Sequence, residues 1–229
     1  MHMHCLESKG LCLRVSEDGS AVAVVDRTRD AKWALMASSR RVGLAGETSD
    51  RLLPAGEVSR RDGAVVVSHG SGDHRVEYIW RLHRDFVEVS VQAGNCVAQI
   101  ALPGAFFPIG EGDWEIAVPS YQGCLIRRSG EPWGTETRRG GHGGFSMAMA
   151  GVLGERSSLL VTHESPANWR ARYGEDAQGL YAYFVHQPCP VDGWKGASIR
   201  IYPADRGLTS VCRGAESQDT QRFRKCGQT

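Results

Sequence analysis

A chain of 229 residues with 27 Lys and Arg against 26 Asp and Glu carries a formal charge of only +1, and its basic residues fall in scattered doublets such as Arg40-Arg41 and Arg138-Arg139. Nucleic acid is therefore not an expected partner, because phosphate backbones are met by a concentrated basic face. No window approaches the ~18 consecutive apolar residues of a membrane-spanning helix and the first residues lack an apolar signal core, so neither a membrane segment nor a secretory leader is expected. Seven cysteines, an odd number with no C-x-x-C pair, point to free thiols in a reducing, cytoplasmic setting.

Residues 11–15 and 20–25 are β-rich runs joined through Asp18-Gly19, a hairpin signal that opens an antiparallel sheet. Residues 32–36 resume the apolar pattern after a polar break. Residues 64–69 and 74–82 flank G-S-G-D, and in the second run Val76, Tyr78, Trp80 and Leu82 alternate with Arg75, Glu77, Ile79 and Arg81. Period-two alternation of this kind marks a strand with one buried face. Residues 86–92 repeat it, with Val87, Val89 and Val91 inward. Further strands are expected at 97–102, 115–118, 123–126, 145–152, 158–163, 181–185 and 198–202. Short strands between recurrent turn signals, with 28 glycines in the chain, form the pattern of a sandwich. The expectation is one all-β, antiparallel, two-sheet domain over 1–203, followed by a short irregular or helical polar tail over 204–229.

Glycosidase chemistry needs two carboxyl groups about 5–9 Å apart. Glu111, Asp113 and Glu115 in G-E-G-D-W-E are the nearest candidates, and they serve equally as a polar lead into a strand. His142 stands among Gly140, Gly141, Gly143 and Gly144, and His163-Glu164 ends an apolar run. Histidine exchanges protons near neutral pH, so both are candidates for ligand contact. Trp114 and Trp133 flank the glycine-rich turns and offer indole faces on which sugar rings stack; Trp133, between Pro132 and Gly134, is the stronger loop candidate. The binding set read from these residues is Glu111, Asp113, Trp114, Trp133, His142, His163 and Glu164. No metal motif, phosphate loop or nucleophile elbow occurs, so no cofactor or metal is assigned.

The order of motifs carries a resemblance. Asp26, Thr28 and Trp33 follow the D-G hairpin; residues 102–126 read L-P-G-A-F-F-P-I-G-E-G-D-W-E-I-A-V-P-S-Y-Q-G-C-L-I; then come G-G-F-S-M-A-M-A-G-V and S-L-L-V-T-H-E-S-P. Over residues 6–203 this resembles the N-terminal β-sandwich of large glycoside hydrolases of the endo-α-N-acetylgalactosaminidase-like group. The resemblance implies a galactose-mutarotase-like supersandwich that precedes a (β/α)8 barrel. In that group the catalytic carboxylates lie in the barrel, which takes about 250 further residues, so no catalytic residue is carried onto this chain. The implied function is a non-catalytic module that shapes a glycan site, or docks a catalytic barrel, through residues 110–114 and 133–145. Its expected partners are weakly bound carbohydrate or a C-terminal barrel domain, with no nucleic acid and no membrane. Two alternatives stay open: an aldose-mutarotase-like epimerase using His142, His163 and Glu164, and a free-standing carbohydrate-binding module.

Overall fold

The computed structural model describes residues 3–112, 114–118, 124–126, 136–139, 148–164, 169–189 and 193–205. In chain order the strands begin with β1 (Met3–Glu7), β2 (Leu11–Ser16), β3 (Val22–Asp26), β4 (Ala31–Leu35), β5 (Arg41–Leu44), β6 (Arg51–Leu52) and β7 (Glu57–Arg61). They continue with β8 (Ala64–His69), β9 (Val76–Leu82), β10 (Val87–Ala93), β11 (Val97–Ala101), β12 (Phe106–Pro108), β13 (Glu115–Val118) and β14 (Cys124–Ile126). The last are β15 (Glu136–Arg139), β16 (Met149–Leu153), β17 (Ser157–His163), β18 (Trp169–Asp176), β19 (Gly179–His186) and β20 (Ser198–Asp205). Two single-turn 3-10 segments, Ala37–Ser39 and Gly72–His74, accompany them. Among the described residues no helix is long and apolar enough to cross a membrane.

The expected all-β antiparallel sandwich is what folds, with its strands distributed over three hydrogen-bonded sheets. A nine-stranded sheet runs β14-β13-β16-β17-β20-β10-β9-β8-β7, a six-stranded sheet β15-β18-β19-β11-β5-β6, and a five-stranded sheet β1-β2-β3-β4-β12. One large core lies between them, drawing Trp33 from the five-stranded sheet, Trp80, Val89 and Ile199 from the nine-stranded sheet, and Ile100 and Phe184 from the six-stranded sheet.

The alternation in β9 and β10 places its residues as expected. Val76, Tyr78 and Trp80 are buried opposite Ala93, Val91 and Val89 in an antiparallel register, and Val87 continues the row opposite the half-buried Leu82. Ile79 departs from the polar face assigned to it: it is buried with Ala64 and Val66 on the other side of the sheet. Strand β8 therefore buries both faces, which is why it reads as a continuous apolar run. Strand β19 does the same, with Leu180, Ala182 and Phe184 in the main core and Tyr181, Tyr183 and Val185 packed with Met36, Ala101 and Ala105.

The Asp18-Gly19 turn forms between β2 and β3, with Gly19 at a φ of +65°. Asp18 Oδ1 accepts hydrogen bonds from Ser16 Oγ (2.6 Å), the Ser20 amide (3.0 Å) and Ser20 Oγ (2.7 Å). Those bonds hold its pKa down, at about 2. Strand β20 runs on to Asp205, two residues into the stretch expected to be tail, while 206–229 lies outside the described residues.

Candidate functional site

Tyr78 and Trp114 each make a polar bond between the principal sheets. Tyr78 Oη on β9 donates to the Ala101 carbonyl of β11 at 3.0 Å, and Trp114 Nε1, just ahead of β13, donates to the Leu180 carbonyl of β19 at 3.1 Å. Trp114 is 9% exposed, its ring lies 6.0 Å from that of Phe107, and its edge fills the space over Gly179. This is the placement of a core residue. Glu111 lies at the surface nearby, where its carboxylate accepts the Glu155 amide and so ties down the bend between β16 and β17.

His163 ends β17 on the inward row of Leu159 and Val161, and His186 ends β19 on the inward row of Ala182 and Phe184. The two imidazoles meet across the sheets with Nε2 of His163 3.1 Å from Nδ1 of His186, and each residue is 1% exposed. Trp169 and Phe184 pack on His163 at ring-centroid distances of 6.0 and 5.6 Å. Burial pushes the pKa of His186 down to about 4, and among the described residues its Nε2 has no hydrogen-bond partner. His163 is thus closed off from an external ligand.

Glu164 turns outward beside it. Its Oε2 is 3.3 Å from an Arg200 guanidinium nitrogen, and its Oε1 accepts Thr162 Oγ1 at 3.3 Å. Arg200 also lies over the Phe86 ring, 5.3 Å from its centroid. The structure brings His163 and Glu164 together at the end of β17 but does not set Glu111 or Trp114 beside them. Asp113, Trp133 and His142, and with them the expected groove between the glycine-rich turns, lie outside the described residues.

A cleft of about 430 Å³ opens between β10 and the turn that leads into β20. Glu88, Ser90 and Gln92 line it from β10, Trp194 and Lys195 from the turn, and Ser198 from the first position of β20. The strand alternation that sends Val87, Val89 and Val91 into the core sends these three β10 residues outward. Glu88 Oε2 is 3.1 Å from His83 Nε2, and Ser90 Oγ accepts from Arg81 at 3.3 Å. The Trp194 ring rests against His186, 6.1 Å between centroids. Neither this tryptophan nor His186 stands out in the sequence, although G-W-K-G sets an indole beside glycine as Trp133-Gly134 does. Among the described residues no group of three or more His, Cys, Asp or Glu is arranged to hold a metal ion.

No family model and no curated protein matches this chain. Among solved structures, the fold matches part of a glycoside hydrolase. The α-N-acetylgalactosaminidase NagBb of Bifidobacterium bifidum in its Gal-NHAc-DNJ complex superposes with a TM-score of 0.76 at 16% identity, over 97% of this chain and 39% of that one. Its GalNAc complex gives 0.75 at 16% identity over 96% and 39%, and its ligand-free form 0.73 at 16% over 97% and 39%. The chain thus spans 39% of the length of that enzyme, and at this identity the likeness is one of fold. The fold agrees with the resemblance read from the motifs.

Proposed function

We propose that this chain is the β-sandwich module of a glycoside hydrolase, non-catalytic by itself, which shapes one side of a glycan site or docks a catalytic barrel. The observation that carries the reading is the asymmetry of the fold match: 96% of this chain corresponds to 39% of the glycosidase, so the sandwich is one part of that architecture. Burial of His163 weighs against the epimerase alternative, because a general acid or base must come within hydrogen-bond reach of the sugar it serves. Glu164, the alternative's carboxylate, is already engaged by Arg200 and Thr162. The thiols of Cys5, Cys12 and Cys96 are free, which supports a reducing, cytoplasmic setting.

The test is the gene around the coding sequence, followed by an assay of the purified chain. A barrel-encoding frame continuous with this one, and no hydrolysis of an aryl α-N-acetylgalactosaminide by the isolated chain, support the module. Hydrolysis by the isolated chain, at a rate proportional to its concentration, overturns it.

A further inference from the structure

The cleft beside β10 has the construction of a preformed ligand site. Its outer wall is a four-residue turn, closed by the Ala197 amide donating to the Trp194 carbonyl at 3.0 Å. Gly196 occupies the third position of that turn with a φ of +79°, a conformation that type II turns reserve for glycine. The C-terminal end of the turn is fixed by two strands: the Val91 amide donates to the Ala197 carbonyl at 2.9 Å, and the Glu164 amide to the Ser198 carbonyl at 2.9 Å. Wall and floor therefore belong to the sheet framework, and a ligand entering between them has little backbone to order.

The lining chemistry narrows the ligand. We infer that this cleft is a saccharide-binding site that takes one neutral pyranose unit, stacked on Trp194 and hydrogen-bonded by Ser90, Gln92, Ser198 and Glu88. Trp194 lines the cleft as a half-buried indole, and its packing against the core and the buried His186 limits its freedom to move. Ser90, Gln92 and Ser198 are neutral groups that both donate and accept, which is what a ring of hydroxyls requires. The charged residues in the lining are one carboxylate, Glu88, and one ammonium, Lys195. Sugar hydroxyls use both the carboxylate and the ammonium, and a phosphate control distinguishes them from an anion drawn by Arg81 beside Ser90. The volume of about 430 Å³ falls within the range of small-molecule sites. A lipid tail would leave the polar floor unpaired.

The site stands apart from the module reading: a sandwich with no glycosidase partner would still carry the cleft, and a docking module would survive its loss. An amide-shift NMR titration with galactose, N-acetylgalactosamine and glucose tests it, with inorganic phosphate as the charged control. The expected result is saturable shifts at residues 88–93 and 194–198 and at the Trp194 indole N–H, with affinity on the order of millimolar. Trp194→Ala should weaken binding about tenfold. Because Trp194 also touches His186, two further variants spare that contact: Ser90→Phe, which fills the cleft, should abolish the shifts, and Gln92→Ala should weaken them, both at the parent's thermal midpoint. No saturable shift with any of the three sugars, a response to phosphate alone, or full affinity in Ser90→Phe overturns the assignment.

Discussion

The imidazole rings of His163 and His186 lie end to end, with 3.1 Å between Nε2 and Nδ1, 5.2 Å between centroids and planes within 11° of parallel. Face-to-face rings with those nitrogens in contact would bring the centroids closer, so the pair shares an in-plane N–H···N hydrogen bond. In such a bond one ring donates and the other accepts, which requires the acceptor to be neutral. The bond joins β17 of the nine-stranded sheet to β19 of the six-stranded sheet through the core.

Stability should therefore depend on pH. Burial lowers the pKa of His186 from 6.5 to about 4, and a charged His186 would present an Nε2–H that has no partner among the described residues. The unfolded chain takes up this proton near the ordinary value while the folded chain resists it, so the stabilisation is complete above 6.5 and declines as pH falls toward 4. The depressed pKa corresponds to about 3 kcal/mol across that window. His69, also buried and also shifted downward, acts in the same direction. Urea midpoints measured from about pH 7 to about pH 4 should fall, and His186→Phe should flatten the slope without removing it. Equal slopes in parent and variant would refute the assignment to His186.

Trp80 is the deepest test of the strand facing. It is 1% exposed and sits opposite Val89 on one side and Val65 on the other. Trp80→Ala should cost about 3–5 kcal/mol, read as a lowered thermal midpoint. An unchanged midpoint would mean that the face is wrong.

Asp26 explains one of the motifs behind the family resemblance. Its side chain is fully buried and accepts the Thr28 amide (2.8 Å), Thr28 Oγ1 (2.6 Å) and Arg29 (2.6 Å), while Arg29 reaches on to Asp205 at 2.7 Å. Burial pushes its pKa up, but the Thr28 and Arg29 bonds outweigh that and the net shift is downward. Asp26→Asn keeps the volume and removes the charge, and chemical denaturation should show a loss of about 1–3 kcal/mol, moderated by the partial exposure of Arg29. The stability that ionised Asp26 supplies is present above 3.8 and is lost as pH falls below it, so the variant and parent should converge in strong acid.

Two glycines separate strain from collision. Gly63 and Gly179 have φ values of +72° and +121°, but a Cβ at Gly63 meets open space whereas one at Gly179 runs into the Trp114 indole. Gly63→Ala should cost about 1 kcal/mol, and Gly179→Ala about 2–4 kcal/mol with a changed tryptophan emission. Similar losses in both would mean that Trp114 yields freely.

The parts legible in the sequence were those with a single buried face: β9 and β10 follow from alternation, and the β2–β3 turn from Asp18-Gly19. Strand β18 alternates as well, with Trp169, Ala171 and Tyr173 inward and Arg170 and Arg172 half-buried between them, but the pattern breaks at Gly174, which is also buried. Strand β7 is an exposed edge, Glu57 to Arg61, with no apolar face to announce it; charge there discourages edge-to-edge pairing. The site was less legible because its geometry is tertiary. His186 and His163 belong to different sheets, and the cleft joins alternate residues of β10 to a turn about a hundred positions later.

Whether the chain handles carbohydrate without transforming it is tested most directly by a proton-NMR time course. Freshly dissolved α-galactose and an aryl α-N-acetylgalactosaminide, mixed with the chain at near-stoichiometric concentration, report mutarotation and hydrolysis through their anomeric signals in one experiment. The expected result is anomeric equilibration at the rate of buffer alone and no released aglycone. Faster equilibration or aglycone release that scales with protein and disappears in His163→Ala or Glu164→Gln would contradict the non-catalytic module and put the chemistry at the end of β17.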